Sequence, residues 1–509
     1  MNRFLSAVIV SLYFSTISFS QNTNSLIPDI PSKAPDYFCT WNIQGYIRSH
    51  ESTVESRKAM TEENMFGNGE FQNWVNLFPK IREDLIFVMD DSWDIPISET
   101  SKDGPTFGLT ELSQERFPSY TGNPAERLTK LVNAVKAKGW KGLGGWICAQ
   151  EAPIAGSVNP EEYWTKRLKD ANQAGFIYWK VDWGKQSRNL EWRKNMTRLG
   201  RIYAPNLIIE HAFNGTPLEF SDTYRTYDVE NVIAQPVTIQ RIADLLKYKP
   251  QGEAKGIINC EDEPYIAAGL GCAIGVMRYP FPGNLPNGKT DYSFPSAGRN
   301  IKQRQDEVVR GIRWHRITEP FGVGSDNYKI DTAVLKDYWV LGERETWNKK
   351  HKQGDTLREN APARVSRGLP LAKVLNPGSR QPFVLSSKYP NGAVAIVTIG
   401  RGIDHEYITE RIKVEQEIEN LDNPIGIFGD YESLTLVLPS KIKPSEYEVL
   451  GQDLAGDKAS AITEGILFKG NKIIISGELI RKIGLSAKSE NDISDPGLVL
   501  KFNKKASHK

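Results

Sequence analysis

The chain has 509 residues, of which 39% are apolar and 25% charged, a globular composition long enough for two or three domains. Its formal net charge of +2 is spread along the chain without a basic stripe, so we expect no nucleic-acid partner. The six histidines form no H-E-x-x-H motif, and no G-x-G-x-x-G sequence opens a helix. We therefore expect neither a bound metal ion nor a dinucleotide cofactor.

The first twenty residues predict an export signal, because a short basic start is followed by an apolar stretch and small residues near Ser18 to Ser20. Residues 21–34 form a polar leader, and no later apolar run is long enough to span a bilayer. We expect a secreted or periplasmic mature protein. Four cysteines could pair there, but each lies in an apolar stretch and none forms a C-x-x-C motif, which favours buried thiols: Cys39, Cys148, Cys260 and Cys272.

Eight short apolar runs predict strands: YFCTWN, LIFVMD, GLGGWICA, FIYWKVD, NLIIEH, DTYRTYD, GIINCE and AIGVMRY. Between several of them lie amphipathic helical patterns: AERLTKLVNAVKAKG, PEEYWTKRLKDANQAG and VTIQRIADLLKY. Strands that are apolar on both faces and joined by helical crossovers indicate a parallel sheet. Eight such units predict a closed (β/α)8 barrel over residues 35–320, with an open doubly wound sheet as the competing architecture.

The chain after the predicted barrel has a different pattern of apolar and polar residues. From about residue 370 it alternates apolar and polar positions between glycine and asparagine turns, which predicts a small antiparallel β-sandwich domain over residues 370–505. Between the two domains, the pattern LKDYWVLGERETWNKKHKQGD favours a helix, so residues 321–369 are expected to form a helical linker.

Polar residues close most of the predicted barrel strands, where the catalytic side chains of such barrels lie. They are rich in carboxylates and tryptophans and include two cations: Trp41, Asp90, Asp91, Trp93, Trp146, Lys180, Asp182, Trp183, Glu210, His211, Arg225 and Asp228. Carboxylates accept hydrogen bonds from paired hydroxyls, and indole rings cover the apolar face of a pyranose. Acidic residues alone would suit calcium or magnesium, but Lys180 and Arg225 oppose a divalent cation. The mixture predicts a saccharide site.

The fourth strand ends in FIYWKVDWG, in which Lys180 and Asp182 are two residues apart and so point to the same side of the strand. We expect both at the mouth of the barrel. The lysine keeps the aspartate ionised and can donate to a hydroxyl, while the carboxylate is suited to attack an anomeric carbon. A structural ion pair at the strand end is the alternative.

Four motifs in order resemble the clan D glycoside hydrolases, the α-galactosidase families 27 and 36. YWKVDWG resembles their nucleophile strand, and FVMDDSW their Asp-Asp-x-Trp signature on the second strand. YRTYDVENV looks like the acid/base segment after the sixth strand, and CEDEPYIAAGLG like the acidic turn after the seventh in family 27. The resemblance covers roughly residues 35 to 505.

The resemblance implies an exported, retaining exo-α-glycosidase that removes terminal α-linked galactose from oligosaccharides or polysaccharides by double displacement. Asp182 would be the nucleophile and Asp228 the general acid/base, with Glu230 as its rival. Their carboxyl groups would lie about 5 to 5.5 Å apart. The substrate contacts would be Trp41, Asp90, Asp91, Trp93, Trp146, Lys180, Trp183, Glu210, His211 and Arg225.

Two departures from family 27 leave the galactose preference open. Trp183 and Gly184 follow the nucleophile in place of the usual asparagine and cysteine, and only two residues separate Arg225 from Asp228, where that family has three. A β-L-arabinopyranosidase and an enzyme for sulfated or anhydro-galactose units are alternatives. A barrel that binds glycans without turnover is an alternative of another class. The sequence leaves the oligomeric state undetermined.

Overall fold

Eight parallel strands close into a barrel in the computed structural model of this protein. The structure describes residues 25–48, 52–99, 101, 104–212, 217–226, 232–278, 281, 303–325, 327–342 and 351–505. The barrel strands are β1 (Tyr37–Cys39), β2 (Ile86–Met89), β3 (Gly142–Ile147), β4 (Tyr178–Val181), β5 (Ile208–His211), β6 (Thr223–Arg225), β7 (Ile257–Glu261) and β8 (Ala273–Val276). Each pairs in parallel with the next, and β8 pairs with β1, so the closed barrel is confirmed and the open sheet is excluded.

Nine helices cover the outside of the barrel or extend its loops in the described part of the chain. They are α1 (Trp41–Ile47), α2 (Thr53–Lys58), α3 (Glu62–Phe66), α4 (Pro124–Ala137), α5 (Pro160–Ala174), α6 (Leu190–Tyr203), α7 (Ala234–Leu245), α8 (Pro264–Leu270) and α9 (Gln305–Ile317). A tenth helix, α10 (Gly477–Gly484), packs in the β-rich unit that follows the barrel. The three helices predicted from amphipathic patterns correspond to α4, α5 and α7. Helix α4 begins at a capping box between Asn123 and Glu126, and α5 ends at Gly175, whose φ of 73° is the left-handed conformation that glycine favours.

Successive side chains of a barrel strand point alternately outwards, to the helices, and inwards, into the barrel. In β4, Trp179 and Val181 pack into the main hydrophobic core with the helices, whereas Tyr178 belongs to a small apolar cluster inside the barrel. Lys180, two residues after Tyr178, lies between Trp146 of β3 and Glu210 of β5 in the strand register. The inner face of the barrel is therefore polar towards the carboxyl ends of its strands, where a site can form.

A β-rich unit follows the barrel. It contains sheets of four, eight and five strands. The strands are β9 (Tyr328–Ile330), β10 (Val334–Val340), β11 (Thr356–Pro362), β12 (Arg364–Arg367), β13 (Lys373–Val374), β14 (Phe383–Lys388), β15 (Val394–Ile399), β16 (Arg401–Ile403), β17 (Glu406–Ile408), β18 (Lys413–Glu417), β19 (Ile425–Phe428), β20 (Ser433–Val437), β21 (Tyr447–Asp453), β22 (Ser460–Ala461), β23 (Ile466–Lys469), β24 (Lys472–Ser476) and β25 (Gly497–Lys504). The predicted C-terminal β domain is confirmed, although β12–β14, β15–β19 and β18–β20 pair in parallel.

The helical linker is a wrong prediction, since β9 to β12 occupy the described part of residues 321–369. Strand β10 pairs with β11 along its whole length, from Val334 with Pro362 to Val340 with Thr356. Its buried residues, Asp337 and Trp339, alternate with more exposed ones, which is the period of a strand. Residues 343–350 of the predicted helix lie outside the described residues.

All four cysteines are buried with free thiols, as expected. The predicted signal peptide, residues 1–20, lies outside the described residues. Within the described ranges, no helix has the length and apolar character needed to cross a membrane.

Candidate active site

A buried ion pair at the carboxyl ends of β2 and β4 is the centre of the candidate site. Lys180 Nζ donates to Asp90 Oδ2 at 2.6 Å, and both side chains are almost fully buried. The Cys39 thiol donates to the same carboxylate oxygen, with Sγ 2.9 Å from Oδ2, and the Asp91 N–H donates to Asp90 Oδ1 at 2.8 Å. Residues from the ends of β1, β2 and β4 thus converge on one carboxylate.

This arrangement fixes the charge states of the pair. Burial raises the pKa of a carboxyl group, but the Lys180 ammonium and the hydrogen bonds from Cys39 and Asp91 outweigh it, so the pKa of Asp90 is lowered. Burial likewise opposes the charged form of Lys180, but Asp90 outweighs it, and the pKa of Lys180 is raised. Burial and the Asp90 carboxylate raise the pKa of Cys39, so the thiol keeps its proton and its role as donor.

Asp182 follows β4 and lies at the mouth, half-buried. The indole N–H of Trp146 donates to Asp182 Oδ2 at 3.0 Å, and the Trp146 ring packs against Trp183 with centroids 5.1 Å apart. The backbone turns directly after Trp183 at Gly184, whose φ is 150°; a Cβ there would lie 2.5 Å from the Ala149 carbonyl oxygen. Only glycine fits, which holds the β4 loop against the β3 loop. We call Cys39, Asp90, Trp146, Lys180 and Asp182 the mouth cluster.

Arg193 of α6 supports Asp182 from behind. It donates to the Val181 carbonyl at 2.9 Å and the Asp182 carbonyl at 2.7 Å, and it is fully buried. His211 Nδ1 lies 3.2 Å from Arg193 Nη1 and accepts from it, so the other ring nitrogen carries the proton and donates to Thr197 Oγ1 at 2.9 Å. Burial and Arg193 lower the pKa of His211 far below its usual range. A neutral histidine therefore orients the arginine that holds the backbone of Asp182.

Asp91 lies beside the mouth cluster and is held by a residue from another loop. Arg57 of α2 donates from Nε to Asp91 Oδ2 at 3.0 Å, and the Ser92 hydroxyl donates to Oδ1 at 2.7 Å. The Arg57 guanidinium also lies 5.1 Å from the ring centroid of Phe107 and 5.3 Å from that of Trp183. Burial, opposed by Arg57, raises the pKa of Asp91 to about 6. Arg57 thus connects Asp91, which follows β2, to the rings of Phe107 and Trp183, which we call the aromatic wall.

The interior below the mouth cluster contains further acidic residues. Glu210 Oε2 accepts from the Tyr178 hydroxyl at 2.7 Å and from Asn259 Nδ2 at 3.2 Å. Arg225 Nη1 lies 3.4 Å from Glu261 Oε1. Burial raises the pKa of Glu210, against the opposing charges of Arg225 and Lys180. Among the described residues, Glu210 Oε1 and Glu261 Oε2 have no hydrogen-bond partner, and the contact of Glu261 Oε1 is the ion pair with Arg225.

The structure brings most of the predicted site residues together. Asp90, Asp91, Trp146, Lys180, Asp182, Trp183, Glu210 and Arg225 lie at or just below the mouth. Trp41 is the first residue of α1 and packs on the apolar cluster inside the barrel. Asp228 and Glu230 lie outside the described residues, and so does the predicted separation of the two catalytic carboxyls.

Two predicted substrate contacts lie elsewhere. The Trp93 ring is in the main hydrophobic core against Phe176, 1% exposed, and its N–H donates to the Trp146 carbonyl at 2.8 Å. His211 has both ring nitrogens engaged by α6. Trp93 therefore supports Trp146, and His211 supports Asp182 through Arg193. Both are positioning residues and not the substrate contacts that were predicted.

Sequence reasoning missed Arg57, Arg193 and Tyr178. Arg57 and Arg193 occur in charged helical stretches that resemble solvated surface, and their partners are 34 and 18 residues away in the chain. No local pattern separates them from exposed arginines. Tyr178 had a usable signal, because it precedes Lys180 by two residues and must share its face of the strand.

The donors and acceptors suit a neutral polyhydroxylated ligand. Carboxyl groups, one ammonium donor and indole rings meet at one opening, as hydroxyl groups and an apolar ring face require. Within the described part of the chain, no group of three or more His, Cys, Asp or Glu residues could hold a metal ion.

Comparison with known proteins gives remote similarity. No protein-family model and no curated protein sequence matches the chain. Solved structures that match it along most of its length include α-galactosidase I from Mortierella vinacea, at 12% identity and a TM-score of 0.38, covering 93% of this chain and 97% of that one. The α-galactosidase from Saccharomyces cerevisiae with raffinose matches at 9% identity and 0.36, covering 92% and 95%. A GH27 β-L-arabinopyranosidase from Geobacillus stearothermophilus matches at 10% and 0.37, covering 94% and 98%. Values this low leave the activity to be argued from the site itself.

Proposed function

We propose that the protein is an exported, retaining exo-α-glycosidase of the clan D type that hydrolyses a terminal α-linked galactose or a sugar of galactose configuration. One observation carries the proposal. The Lys180–Asp90 ion pair lies at the end of a barrel strand that continues into Asp182, and the Trp146 indole holds this second carboxylate at the same opening. The ion pair of Lys180 is with Asp90, the carboxylate that follows β2.

Asp182 is the proposed nucleophile. Arg193 fixes its backbone, Trp146 fixes Oδ2, and the half-buried position gives a ligand access to the carboxylate. A glycosidase nucleophile must be ionised and held close to the anomeric carbon, so that attack costs little ordering at the moment of reaction. In the glycosyl-enzyme step the carboxylate bonds to the anomeric carbon as the leaving oxygen takes a proton, and water then reverses the attachment with retention.

The general acid/base is proposed to be Asp228, in the loop after β6, with Glu230 as its rival. Support comes from its place in the chain, three residues after Arg225, whose side chain lies in the barrel interior by Glu261. The sugar itself would be held by Lys180, Asp90 and Asp91. An ammonium donor beside a carboxylate suits adjacent hydroxyl groups, which each donate and accept.

The nucleophile is tested with aryl α-glycosides and a mechanism-based fluoroglycoside label. We expect release of aryl alcohol from an α-galactoside, a covalent label located on Asp182 by peptide mass spectrometry, and loss of turnover in Asp182→Asn with sugar binding retained. A label on another residue would contradict the assignment. Tight galactose binding without turnover of any aryl α-glycoside would favour the non-catalytic glycan-binding alternative.

The acid/base is tested by leaving-group dependence. A good leaving group such as 2,4-dinitrophenolate departs without protonation, whereas an alkyl or sugar alcohol needs it. The true acid/base variant, Asp228→Asn or Glu230→Gln, should therefore lose far more activity on a disaccharide than on the dinitrophenyl glycoside in the first half-reaction. Equal losses on both substrates in both variants would show that neither residue is the acid.

A further inference from the structure

The thiol of Cys39 lies against both charges of the central ion pair. Cys39 is the last residue of β1 and is fully buried. Its Sγ is 2.9 Å from Asp90 Oδ2, to which it donates, and 3.4 Å from Lys180 Nζ, from which it accepts. Because Lys180 also donates to Asp90 Oδ2, at 2.6 Å, the three groups form a closed triangle of hydrogen bonds. The thiol is therefore a third member of the ion pair.

A buried cysteine often serves only as a small apolar side chain, and Cys272 is such a case in this chain. Cys272 lies in the main hydrophobic core, just before β8, where its Sγ is 3.6 Å from the Leu270 carbonyl oxygen. Cys39 also packs on apolar side chains, in the small cluster inside the barrel, but its sulfur faces an ammonium and a carboxylate. A methyl group in place of the thiol would keep the packing and lose both polar contacts.

The triangle determines which polar atoms of the ion pair are left for a ligand. An ammonium group has three N–H donors, and within the described part of the chain Lys180 uses two of them, on Asp90 and on Cys39. Asp90 Oδ2 accepts from Lys180 and Cys39, which engages both of its lone pairs. Asp90 Oδ1 accepts from the Asp91 N–H at 2.8 Å and keeps one lone pair. One donor and one acceptor remain, which is what a sugar hydroxyl group can use.

The end of β1 also fixes the main chain of Asp90. The Asp90 N–H donates to Thr40 Oγ1 at 2.8 Å, and the Thr40 hydroxyl donates to Gln44 Oε1 at 2.8 Å. Thr40 follows Cys39 in the chain, so one short segment holds both the backbone and the carboxylate of Asp90. A carboxylate that is already held in this way needs little further ordering when a ligand binds.

We infer that Cys39 is a positioning residue for sugar recognition: its thiol holds Asp90 Oδ2 and Lys180 Nζ so that Asp90 Oδ1 and the remaining lysine N–H serve the sugar. The inference rests on the proposed function, which takes the Lys180–Asp90 pair as a sugar contact. Cys39 acts through Asp90 and does not itself touch the sugar. Without the thiol, Asp90 Oδ2 loses one of two donors and Lys180 loses an acceptor, so sugar binding weakens more than the attack by Asp182.

The first experiment measures sugar affinity in Cys39→Ala, Cys39→Ser and Cys272→Ala. Isothermal titration calorimetry with galactose reports binding without any turnover. We expect Cys39→Ala to bind galactose about tenfold more weakly than wild type, and Cys39→Ser, which keeps a donor, to remain within about threefold. Cys272→Ala also shortens a buried cysteine and should bind as wild type does. Unchanged affinity in Cys39→Ala, or no rescue by Cys39→Ser, would overturn the inference.

Kinetics on an aryl α-galactoside add a readout that a general loss of packing would not produce. In Cys39→Ala we expect KM to rise about tenfold while kcat stays within about threefold of wild type. Cys272→Ala should change neither constant. A fall in kcat at constant KM in Cys39→Ala would contradict a role in sugar recognition.

Infrared spectroscopy tests the thiol contact itself, independently of activity. The S–H stretch moves to lower frequency when the thiol donates a hydrogen bond, and a charged acceptor strengthens that bond. The Cys39 band, isolated as the difference between wild type and Cys39→Ala, should lie below the Cys272 band, isolated in the same way from Cys272→Ala. It should move upwards in Asp90→Asn, in which the acceptor loses its charge. Equal frequencies for the two bands would overturn the inference. A lowered Cys39 band in a protein that binds galactose but hydrolyses no aryl α-glycoside would support the inference and overturn the proposed hydrolysis alone.

Discussion

Two buried ion pairs show how differently this chain uses charge. Arg310 of α9 holds Asp453 at the end of β21 in a two-pronged contact, Nε to Oδ1 at 2.9 Å and Nη2 to Oδ2 at 3.1 Å, and so joins the barrel to the β-rich unit. The backbone N–H groups of Ala455 and Ala487 donate to the two carboxylate oxygens of Asp453, at 2.8 and 2.9 Å. Lys180 and Asp90 are as deeply buried, but they sit at an opening.

The surroundings of the two pairs separate their roles. Below Lys180, the described residues provide no hydrogen-bond partner for Glu210 Oε1, Glu261 Oε2, Asn259 Oδ1 or the Tyr37 hydroxyl. A buried polar group without a partner costs about 1–3 kcal/mol. Asp453, by contrast, has a partner for each oxygen. The two pairs also differ in position, because Lys180–Asp90 lies at the carboxyl ends of barrel strands, where the catalytic side chains of such barrels lie, and Arg310–Asp453 lies where the barrel meets the β-rich unit.

The largest expected effect is from Lys180→Met. The change removes the ammonium that keeps Asp90 ionised and the donor at the mouth, so we expect kcat/KM to fall by about 10³- to 10⁴-fold on an aryl α-galactoside. Lys185→Met, at an exposed position in the loop after β4, is the matched control and should remain within about threefold of wild type. If kcat/KM fell no further in Lys180→Met than in the control, the Lys180–Asp90 pair would be structural, like the Arg310–Asp453 pair.

Arg310→Met should change stability and leave the chemistry intact. It leaves the Asp453 carboxylate buried without its cation, and breaking a buried pair in this way costs about 3–5 kcal/mol. We expect that decrease in the free energy of unfolding, measured by urea denaturation, with kcat per folded molecule unchanged. Lys443→Met removes an exposed pair with Glu446 and should not change the unfolding midpoint measurably. A specific loss of kcat in Arg310→Met would mean that the joint also shapes the site.

The strand ends of the barrel could be predicted because two local rules suffice there. The apolar runs mark the strands, and the side chains that follow them meet at one end of a parallel barrel, which places Asp90, Lys180 and Asp182 together. The same alternation could have corrected His211, since Glu210 and His211 are adjacent in β5 and must face opposite sides. Treating every polar strand-end residue as a substrate contact ignored that rule.

Contacts between distant segments could not be predicted. Arg57 meets Asp91 through a loop helix inserted between β1 and β2, and Arg193 meets the backbone of Asp182 from α6. Neither arginine differs locally from a solvated one. Strand β10 was taken for a helix for a similar reason, because its identity depends on pairing with β11 and not on its own composition.

The buried carboxyl group of Asp94 predicts that the stability of the protein depends on pH. Thr110 N–H donates to Oδ2 at 3.0 Å, Oδ1 is buried with no partner in the described ranges, and burial raises the pKa to about 7. An acid whose pKa is higher in the folded than in the unfolded protein binds its proton more tightly when folded. Its contribution to the free energy of unfolding is therefore complete below about pH 4 and is lost as pH rises towards 7.

We expect Asp94→Asn to flatten that dependence and to be more stable than wild type at pH 8 by on the order of 2–3 kcal/mol. The measurement is the free energy of unfolding at pH 5 and pH 8. Asp244→Asn, at an exposed position on α7, should follow the wild-type curve. Parallel curves for wild type and Asp94→Asn would show that this carboxyl is not held protonated by the fold.

The smallest expected effect is from Arg57→Lys, which keeps the charge beside Asp91 and loses the planar group between Phe107 and Trp183. The change loosens Asp91 and the aromatic wall without touching Asp182, so ground-state binding should weaken more than chemistry. We expect KM for the aryl glycoside to rise about tenfold with kcat within about threefold. Arg188→Lys, exposed in the loop after β4, should change neither constant. A fall in kcat at constant KM would place Arg57 in transition-state stabilisation, and Asp91 would then belong with Lys180 among the groups that act on the reacting sugar.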